Sequence, residues 1–489
     1  MFLKKIVFGL VFFVTFSSSL FSQINSIQSQ INQLLKDPAF KHASVGISVM
    51  DVKTGKMVAS HNADQSLIPA SILKVVTTST TAGILGSNYK FKTELQYSGD
   101  IDKQGNLKGN LYIKGYGDPT LASPLMEGTD SMEDVLGNFV YAILQKNILC
   151  VEGHIIGDAS WFGSTVNAPD WPWIDLGNYY AAGVWGLNFH ENLYYLHFLQ
   201  NPQLKASPRI MDIEPEVEGL AFYNEVKSAK KGSGDNAYIY GAPYSYERYV
   251  RGTIPVGNQK FTIKGSLPDP PLFAAQKLKN QLAGINVPTS RGATTDRLLQ
   301  IPMEKTRKTL YTHYSPDLKT IIKRTNIKSV NLYCETFLKT LGKRKTGEGT
   351  EAQKGLEVIE DFWTQRGLSF DGVSQVDGSG LSRTNLVTAR FMASLLRKTH
   401  LDPKISNTIY ESLPIAGKSG GLKYYLRGTV AEGKLRAKTG TLENVRSFAG
   451  YATNNQGKKL AFCIIVNNHN CSGSALRKKL APLMQAMCR

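Results

Sequence analysis

The placement of strand-like segments at the two extremes of the chain constrains its fold most. Residues 43–50 alternate apolar and polar side chains as a half-buried strand does. Val52-Lys53-Thr54-Gly55-Lys56 then turns into a second strand through Ala59, a hairpin signal. Pro69 precedes an apolar stretch to about Leu85, and a helix accepts proline at its start because the N–H it lacks would have no partner there. Near the other end, strands are expected at 435–438, 446–452 and 460–467. An amphipathic helix follows from about Ser474, with Leu476, Leu480, Leu483 and Met487 on one face to pack against the sheet. The interval 89–301 differs. It is rich in Gly, Tyr, Trp and short β-like runs such as 110–114 and 237–240, broken by the turn clusters Gly232-Ser233-Gly234-Asp235 and Pro268-Asp269-Pro270-Pro271. From about 302 the pattern is helix-rich again. At 489 residues the chain exceeds one typical core. These features predict a multidomain α+β protein: a split domain over 23–88 and 302–489, built as an antiparallel sheet flanked by helices, and a β-rich inserted region over 89–301. The insert is read as two subdomains, one a nested β subdomain at roughly 190–260.

Lys4 and Lys5 precede an apolar run over 6–16, followed by Ser17, Ser18, Ser19 and Ser22. That order is a charged segment, an apolar segment too short to span a bilayer, and a cleavage site, so 1–22 reads as a signal peptide. No cysteine follows that could carry a lipid, and no later stretch is apolar enough to cross a membrane. The expectation is export, to a periplasm or the outer face of the cell envelope, with no transmembrane anchor after cleavage. The formal charge of +18 suits an anionic polymer or acidic headgroups, which leaves room for peripheral membrane association. No nucleic-acid-binding module is recognisable, so nucleic acid is not an expected partner. The five cysteines form no C-x-x-C pair and lack metal-ligand spacing. No metal or cofactor is therefore expected. A disulfide among Cys463, Cys471 and Cys488 is compatible with an oxidising compartment but has no unique assignment, and Cys334 reads as a small buried hydrophobe.

Three short patterns carry the chemistry: S-x-x-K, S-x-N and K-T-G. Each recurs by chance, S-x-x-K at Ser71, Ser87 and Ser228, S-x-N at Ser60 and Ser329, K-T-G at Lys53, Lys345 and Lys438. Context selects among them. A nucleophilic serine gains from a helix N-terminus, where backbone N–H groups favour developing negative charge. A lysine one turn later lies on the same face and can take its proton. Ser71 and Lys74 open the helix after Pro69, whereas Ser87 ends that helix and Ser228 lies in a polar run. K-T-G must lie on a strand whose backbone can meet a substrate as an added strand. Lys438 has that setting; Lys53 is in a turn and Lys345 in a charged loop. Ser329 and Asn331 open an apolar helix. One ordered set remains: Ser71/Lys74, Ser329/Asn331 and Lys438.

With these residues the chain resembles the D-alanyl-D-alanine carboxypeptidase/endopeptidase family, peptidase family S13, the class C low-molecular-mass penicillin-binding proteins. The resemblance extends over nearly all of the mature chain. It includes Gly115-Tyr116-Gly117-Asp118-Pro119, Trp171-Pro172-Trp173-Ile174-Asp175, Gly234-Asp235-Asn236-Ala237-Tyr238, Arg251-Gly252-Thr253-Ile254-Pro255 and Asp377-Gly378-Ser379-Gly380-Leu381-Ser382-Arg383. The interval from Ser71 to Ser329 is also of the family's kind and longer than in most β-lactamases.

The resemblance implies a penicillin-binding, transpeptidase-like split domain and an acyl-enzyme on Ser71. Its expected targets are peptidoglycan stem peptides, with β-lactam antibiotics as covalent inhibitors. Lys74 would accept the serine proton, Ser329 with Lys438 would return one to the leaving amine, and Asn331 would hold the substrate amide. The N–H groups of Ser71 and Thr441 would face the oxyanion, and Lys438, Thr439, Gly440 and Thr441 would meet the terminal carboxylate. Asp175, Tyr180 and Arg383 match residues that bind the far end of a diamino acid side chain. Glu443 departs from the glutamine common in similar proteins. A serine β-lactamase, and a penicillin-binding sensor or scaffold without turnover, are the competing readings.

Overall fold

The structure, a computed structural model, describes residues 26–299, 304, 306–346 and 352–489; the segment read as a signal peptide lies outside the described residues. The chain divides into two compact units, the first of Met1–Ser87, Ile322–Ser329 and Ile359–Arg489, the second of Asn88–Ile321 and Val330–Val358.

The first unit is organised by a five-stranded antiparallel sheet. Its strands are β1 (Ser44–Asp51), β2 (Met57–His61), β3 (Leu435–Leu442), β4 (Val445–Thr453) and β5 (Lys459–Asn467), in the order β3-β4-β5-β1-β2. The ends of the chain therefore meet: β1 zips against β5 from Ser44↔Asn467 to Asp51↔Leu460. Ile47, Val49, Phe448, Phe462, Ile464 and Val466 form an apolar core with Ile27 and Ile31 of a helix over 26–34. The same core takes in Leu476, Leu480, Leu483 and Met487, the stripe expected of the last helix, which spans Gly473–Ala486. Burying one apolar face of each element in this way is the main stabilising term, roughly 25 cal/mol per Å² removed from water.

Helix α1 (Lys74–Leu85) follows a 3-10 turn over Ala70–Leu73, and every residue from Lys74 to Ala82 is buried. In a helix covered on all sides a hydroxyl without a partner is costly, and of its buried hydroxyls Ser79 Oγ alone finds none. Thr78, Thr80 and Thr81 accordingly donate to the carbonyls of Lys74, Val76 and Thr77 at 2.7, 2.8 and 2.7 Å.

In the second unit a mixed five-stranded sheet runs in the order Ala293–Thr295, Ile155–Asp158, Leu111–Gly115, Lys92–Tyr97, Lys308–Tyr314. The last of these strands falls in the stretch expected to be helix-rich. Two further sheets occupy the region of the expected nested subdomain. One has Leu193–Leu199 between Arg209–Glu214 and Lys260–Ser266; the other is built around Glu247–Pro255. The unit also carries two 14-residue helices, Met132–Gln145 and Pro270–Ala283. The cluster 268–271 is therefore a helix start and not a turn. The Asp269 carboxylate accepts from Leu272 N–H at 3.1 Å, and Pro270 occupies the first helical position. Ser131 and Asp134 close a reciprocal capping box on the other helix.

None of the five cysteines forms a disulfide, and Cys334 is fully buried. Among the described residues no helix is long and apolar enough to cross a membrane.

Candidate active site

In the first unit the segment before Ser71 is pinned from several sides. The Asn467 side chain pairs with both polar groups of the Ile68 backbone, accepting from its N–H at 2.8 Å and donating to its carbonyl at 3.1 Å. Ser447 Oγ donates to Pro69 O. Ala70 is forced to φ +49°, a left-handed conformation that costs a non-glycine residue about 1–2 kcal/mol. Such strain persists only where the surroundings over-determine it, and it clusters at functional sites. The 3-10 turn that follows sets Ser71 half-buried at its start, with Lys74 fully buried where the α-helix begins. Lys74 Nζ lies 3.1 Å from Ser71 Oγ and donates to Ser379 O at 2.7 Å.

That carbonyl belongs to the segment 377–383, which folds around a buried carboxylate. Asp377 accepts from the N–H groups of Gly380 and Ser382, both at 2.7 Å, and from the Asn385 amide at 2.9 Å. Gly380 sits at φ +78°, and a Cβ there would come within 2.1 Å of Ala70 O. The loop and the strained turn are thus in direct contact.

Strand β3 is the terminal strand of its sheet. The segment 414–416 covers its beginning, with Ala437 N–H donating to Pro414 O and Ala416 N–H to Leu435 O, both at 2.9 Å. Lys438, 1% exposed, donates from Nζ to Ser329 Oγ and to Thr439 O, both at 2.8 Å. Ser329 lies at φ +60°, between the helices Leu318–Lys328 and Asn331–Thr346; of the two residues expected to open the second helix, Asn331 does and Ser329 precedes it. Two residues beyond Lys438, Gly440 presses against the turn that carries Ser71: a Cβ there would lie 2.1 Å from Ser447 Oγ, 2.7 Å from Pro69 O and 3.0 Å from Ser71 N. Thr439 is partly buried. Thr441 is exposed and accepts a hydrogen bond from Arg446. Arg383, also exposed, reaches the Glu443 carboxylate at 3.5 Å, a surface pair that contributes little to stability.

Three expected site residues fall in the second unit, where they are linked to one another. Asn331 Nδ2 donates to Tyr180 O at 2.7 Å, and Tyr180 Oη donates to Asp175 Oδ1 at 2.8 Å. Burial, and then the Asp175 carboxylate, push the Tyr180 phenol well up, so it stays a donor. Sequence reasoning assigned no role to the Ser379 carbonyl or to Asp377. The available signals were the density of turn residues in 377–383 and the place of that segment among those that carry the family resemblance.

The fold is shared with a solved structure, that of penicillin binding protein 4 from Haemophilus influenzae. The two match with a TM-score of 0.78 over 94% of this chain and 97% of that one, at 24% identity. This is the multidomain α+β fold of a penicillin-binding protein. The profile of the D-Ala-D-Ala carboxypeptidase 3 (S13) family matches residues 27–487, and the chain belongs to that family. The D-alanyl-D-alanine carboxypeptidase of Actinomadura sp. (strain R39) is 29% identical over 468 residues, 92% of this chain and 82% of that protein. The D-alanyl-D-alanine carboxypeptidase DacB of Haemophilus influenzae is 25% identical over 485 residues, 96% of this chain and 94% of that protein.

Proposed function

We propose that the chain is an exported serine D-Ala-D-Ala carboxypeptidase, a DD-endopeptidase or both, that acts on peptidoglycan stem peptides through an acyl-enzyme on Ser71 and is inhibited by penicillin. The observation that carries this reading is the pair of contacts Lys74 Nζ–Ser71 Oγ, 3.1 Å, and Lys438 Nζ–Ser329 Oγ, 2.8 Å. They supply one amine to take the serine proton and one hydroxyl held by a second cation to return it. Family membership supplies the substrate class.

Ser71 attacks the carbonyl between two D-alanines as its proton passes to Lys74. The substrate lies along β3 as an added strand, a mode open to a terminal strand. The N–H groups of Ser71 and Thr441 meet the oxyanion, and losing one such donor typically costs about 3–4 kcal/mol of transition-state stabilisation. Ser329, its hydroxyl held by Lys438, gives its proton to the departing amine and takes in return the one that Lys74 accepted, so Ser329 and Lys74 both end as they began. The C–N bond breaks, D-alanine leaves, and water later hydrolyses the ester on Ser71. Lys438, Thr439, Gly440 and Thr441 receive the terminal carboxylate. Roles for Asn331 at the substrate amide, and for Asp175, Tyr180 and Arg383 at a diamino acid side chain, rest on the family resemblance. Penicillin enters the same step and leaves an ester that hydrolyses slowly.

The test pairs a fluorescent penicillin with a pentapeptide ending in D-Ala-D-Ala. Covalent labelling together with D-alanine release is the expected outcome, and Ser71→Ala should abolish both. Fast turnover of the penicillin would point instead to a β-lactamase, and labelling without peptide hydrolysis to a sensor. Label retained by Ser71→Ala would sink the nucleophile assignment.

A further inference from the structure

One sheet of the second unit turns an unusual face to water. In its central strand, Glu247–Pro255, Arg248 and Val250 are buried while Tyr249 and Arg251 point outward. In Asn236–Tyr240, Ala237 and Ile239 are buried while Tyr238 and Tyr240 alternate with them. Of the inward set, Ala237, Ile239 and Val250 join the unit's apolar core. A sheet packed on one side ordinarily presents polar side chains on the other. Here the strand register puts Tyr223 and Tyr240 on either side of Tyr249, and Tyr238 beside Arg251. Tyr223 and Tyr249 stack with centroids 4.7 Å apart, and Trp173 lies 4.9 Å from Tyr240. The Arg251 guanidinium stands 5.5 and 5.6 Å from the Tyr240 and Tyr249 rings and is held by Glu225 at 2.8 Å. Tyr223, Tyr238, Tyr249 and Trp173 are 47, 39, 39 and 59% exposed. Contiguous exposed aromatics at this density mark a binding surface.

We propose that this face binds the glycan strand of peptidoglycan. A pyranose ring offers an apolar C–H face rimmed by hydroxyls, which matches a phenol with its apolar face and hydrogen-bonding edge. Tyrosine and tryptophan provide such contact at little conformational cost, since each has only two χ angles to fix. The outward side chains named are all amphipathic, with no leucine, methionine or phenylalanine anchor, which favours a polysaccharide over the apolar core of a protein interface. Arg251 adds a cation for carboxylates borne by the polymer. The choice of this polymer rests on the proposed function, because it is the one that carries the stem peptide.

Binding of the full chain to soluble, peptide-free glycan strands released by an amidase tests the proposal, read by fluorescence anisotropy. The wild type and Ser71→Ala should bind alike. Tyr223→Ala/Tyr249→Ala should bind at least tenfold more weakly, with penicillin labelling and thermal midpoint unchanged. Should the double variant lose stability, Tyr223→Ser and Tyr249→Ser singly carry the comparison, each expected to weaken binding several-fold. No binding by the wild type, equal binding by stable variants, or wild-type dimers that the variants disperse would overturn the proposal. The glycan probe holds no D-Ala-D-Ala bond. Glycan binding without peptide hydrolysis would therefore leave this surface standing and remove the proposed reaction, and the converse would remove the surface alone.

Discussion

Gly440 shows how much of the candidate site depends on one missing methyl group. The added Cβ of Gly440→Ala would fall 2.1 Å from Ser447 Oγ and 3.0 Å from Ser71 N, so either strand β3 or the turn that carries Ser71 must move. Overpacking of this kind costs about 1–3 kcal/mol. A shift of about 1 Å in a reacting group costs on the order of 10²-fold in rate. Gly440→Ala should therefore acylate with penicillin about a hundredfold more slowly while its thermal midpoint falls only modestly; an unchanged acylation rate would show that the close approach has no part in placing Ser71. The side-chain partners at this scale were legible in the sequence. Ser71 with Lys74 follows from helical periodicity, whereas the Ser329–Lys438 pair was an expectation that the family resemblance implied. The Ser379 carbonyl was not legible, because every residue has one and only folding decides which points at Lys74.

At the scale of elements, the ends of secondary structure depend on single capping residues. Asp269 is 2% exposed, caps the helix Pro270–Ala283 and receives Arg297 at 2.8 Å. Asp269→Ala removes the cap and a buried acceptor, a loss of about 1–3 kcal/mol. Asp269→Asn keeps a cap acceptor and should cost less. Denaturant midpoints and hydrogen exchange at 272–276 check this, and equal midpoints for the two variants would deny the cap any weight. The same helix explains where sequence reading failed. Pro-Asp-Pro-Pro looks like a turn to a reading by composition, but Asp then Pro is also a helix start, and the apolar periodicity that follows decides between them. The strand Lys308–Tyr314 was missed for the opposite reason. Its side chains are mostly partly buried or exposed, which leaves little apolar alternation to read. The strands of the first unit were legible for two reasons: Lys459–Asn467 is a nearly continuous apolar run, and Ser44–Asp51 alternates in sequence, although the structure buries all of it but Ser44 and so covers both faces where alternation suggested one.

For the molecule as a whole, burial of titratable groups fixes how stability responds to acid. Burial pushes the His190 imidazole down to about 4, so the folded protein keeps it neutral where the unfolded chain, near 6.5, would already be protonated. At this site the unfolded chain therefore binds a proton below pH 6.5 that the native state does not, and the stability contributed by His190 falls as pH falls. The loss develops between pH 6.5 and 4 and amounts to about 2 kcal/mol at pH 5 and about 3 kcal/mol below pH 4. Asp158 extends the same trend. Although burial works against it, its ion pairs with Lys114 and Arg307, at 2.9 and 2.7 Å, hold its carboxyl below the usual range. Its contribution is present above about pH 4 and is lost only on further acidification. The two groups thus act in successive windows, the histidine first. Denaturant unfolding at pH 7.5 and pH 5 should show the midpoint dropping for the wild type. His190→Gln, which has nothing to titrate in that window, should show a difference smaller by about 2 kcal/mol. A variant that loses as much stability as the wild type over the same interval would mean that another group carries the acid sensitivity.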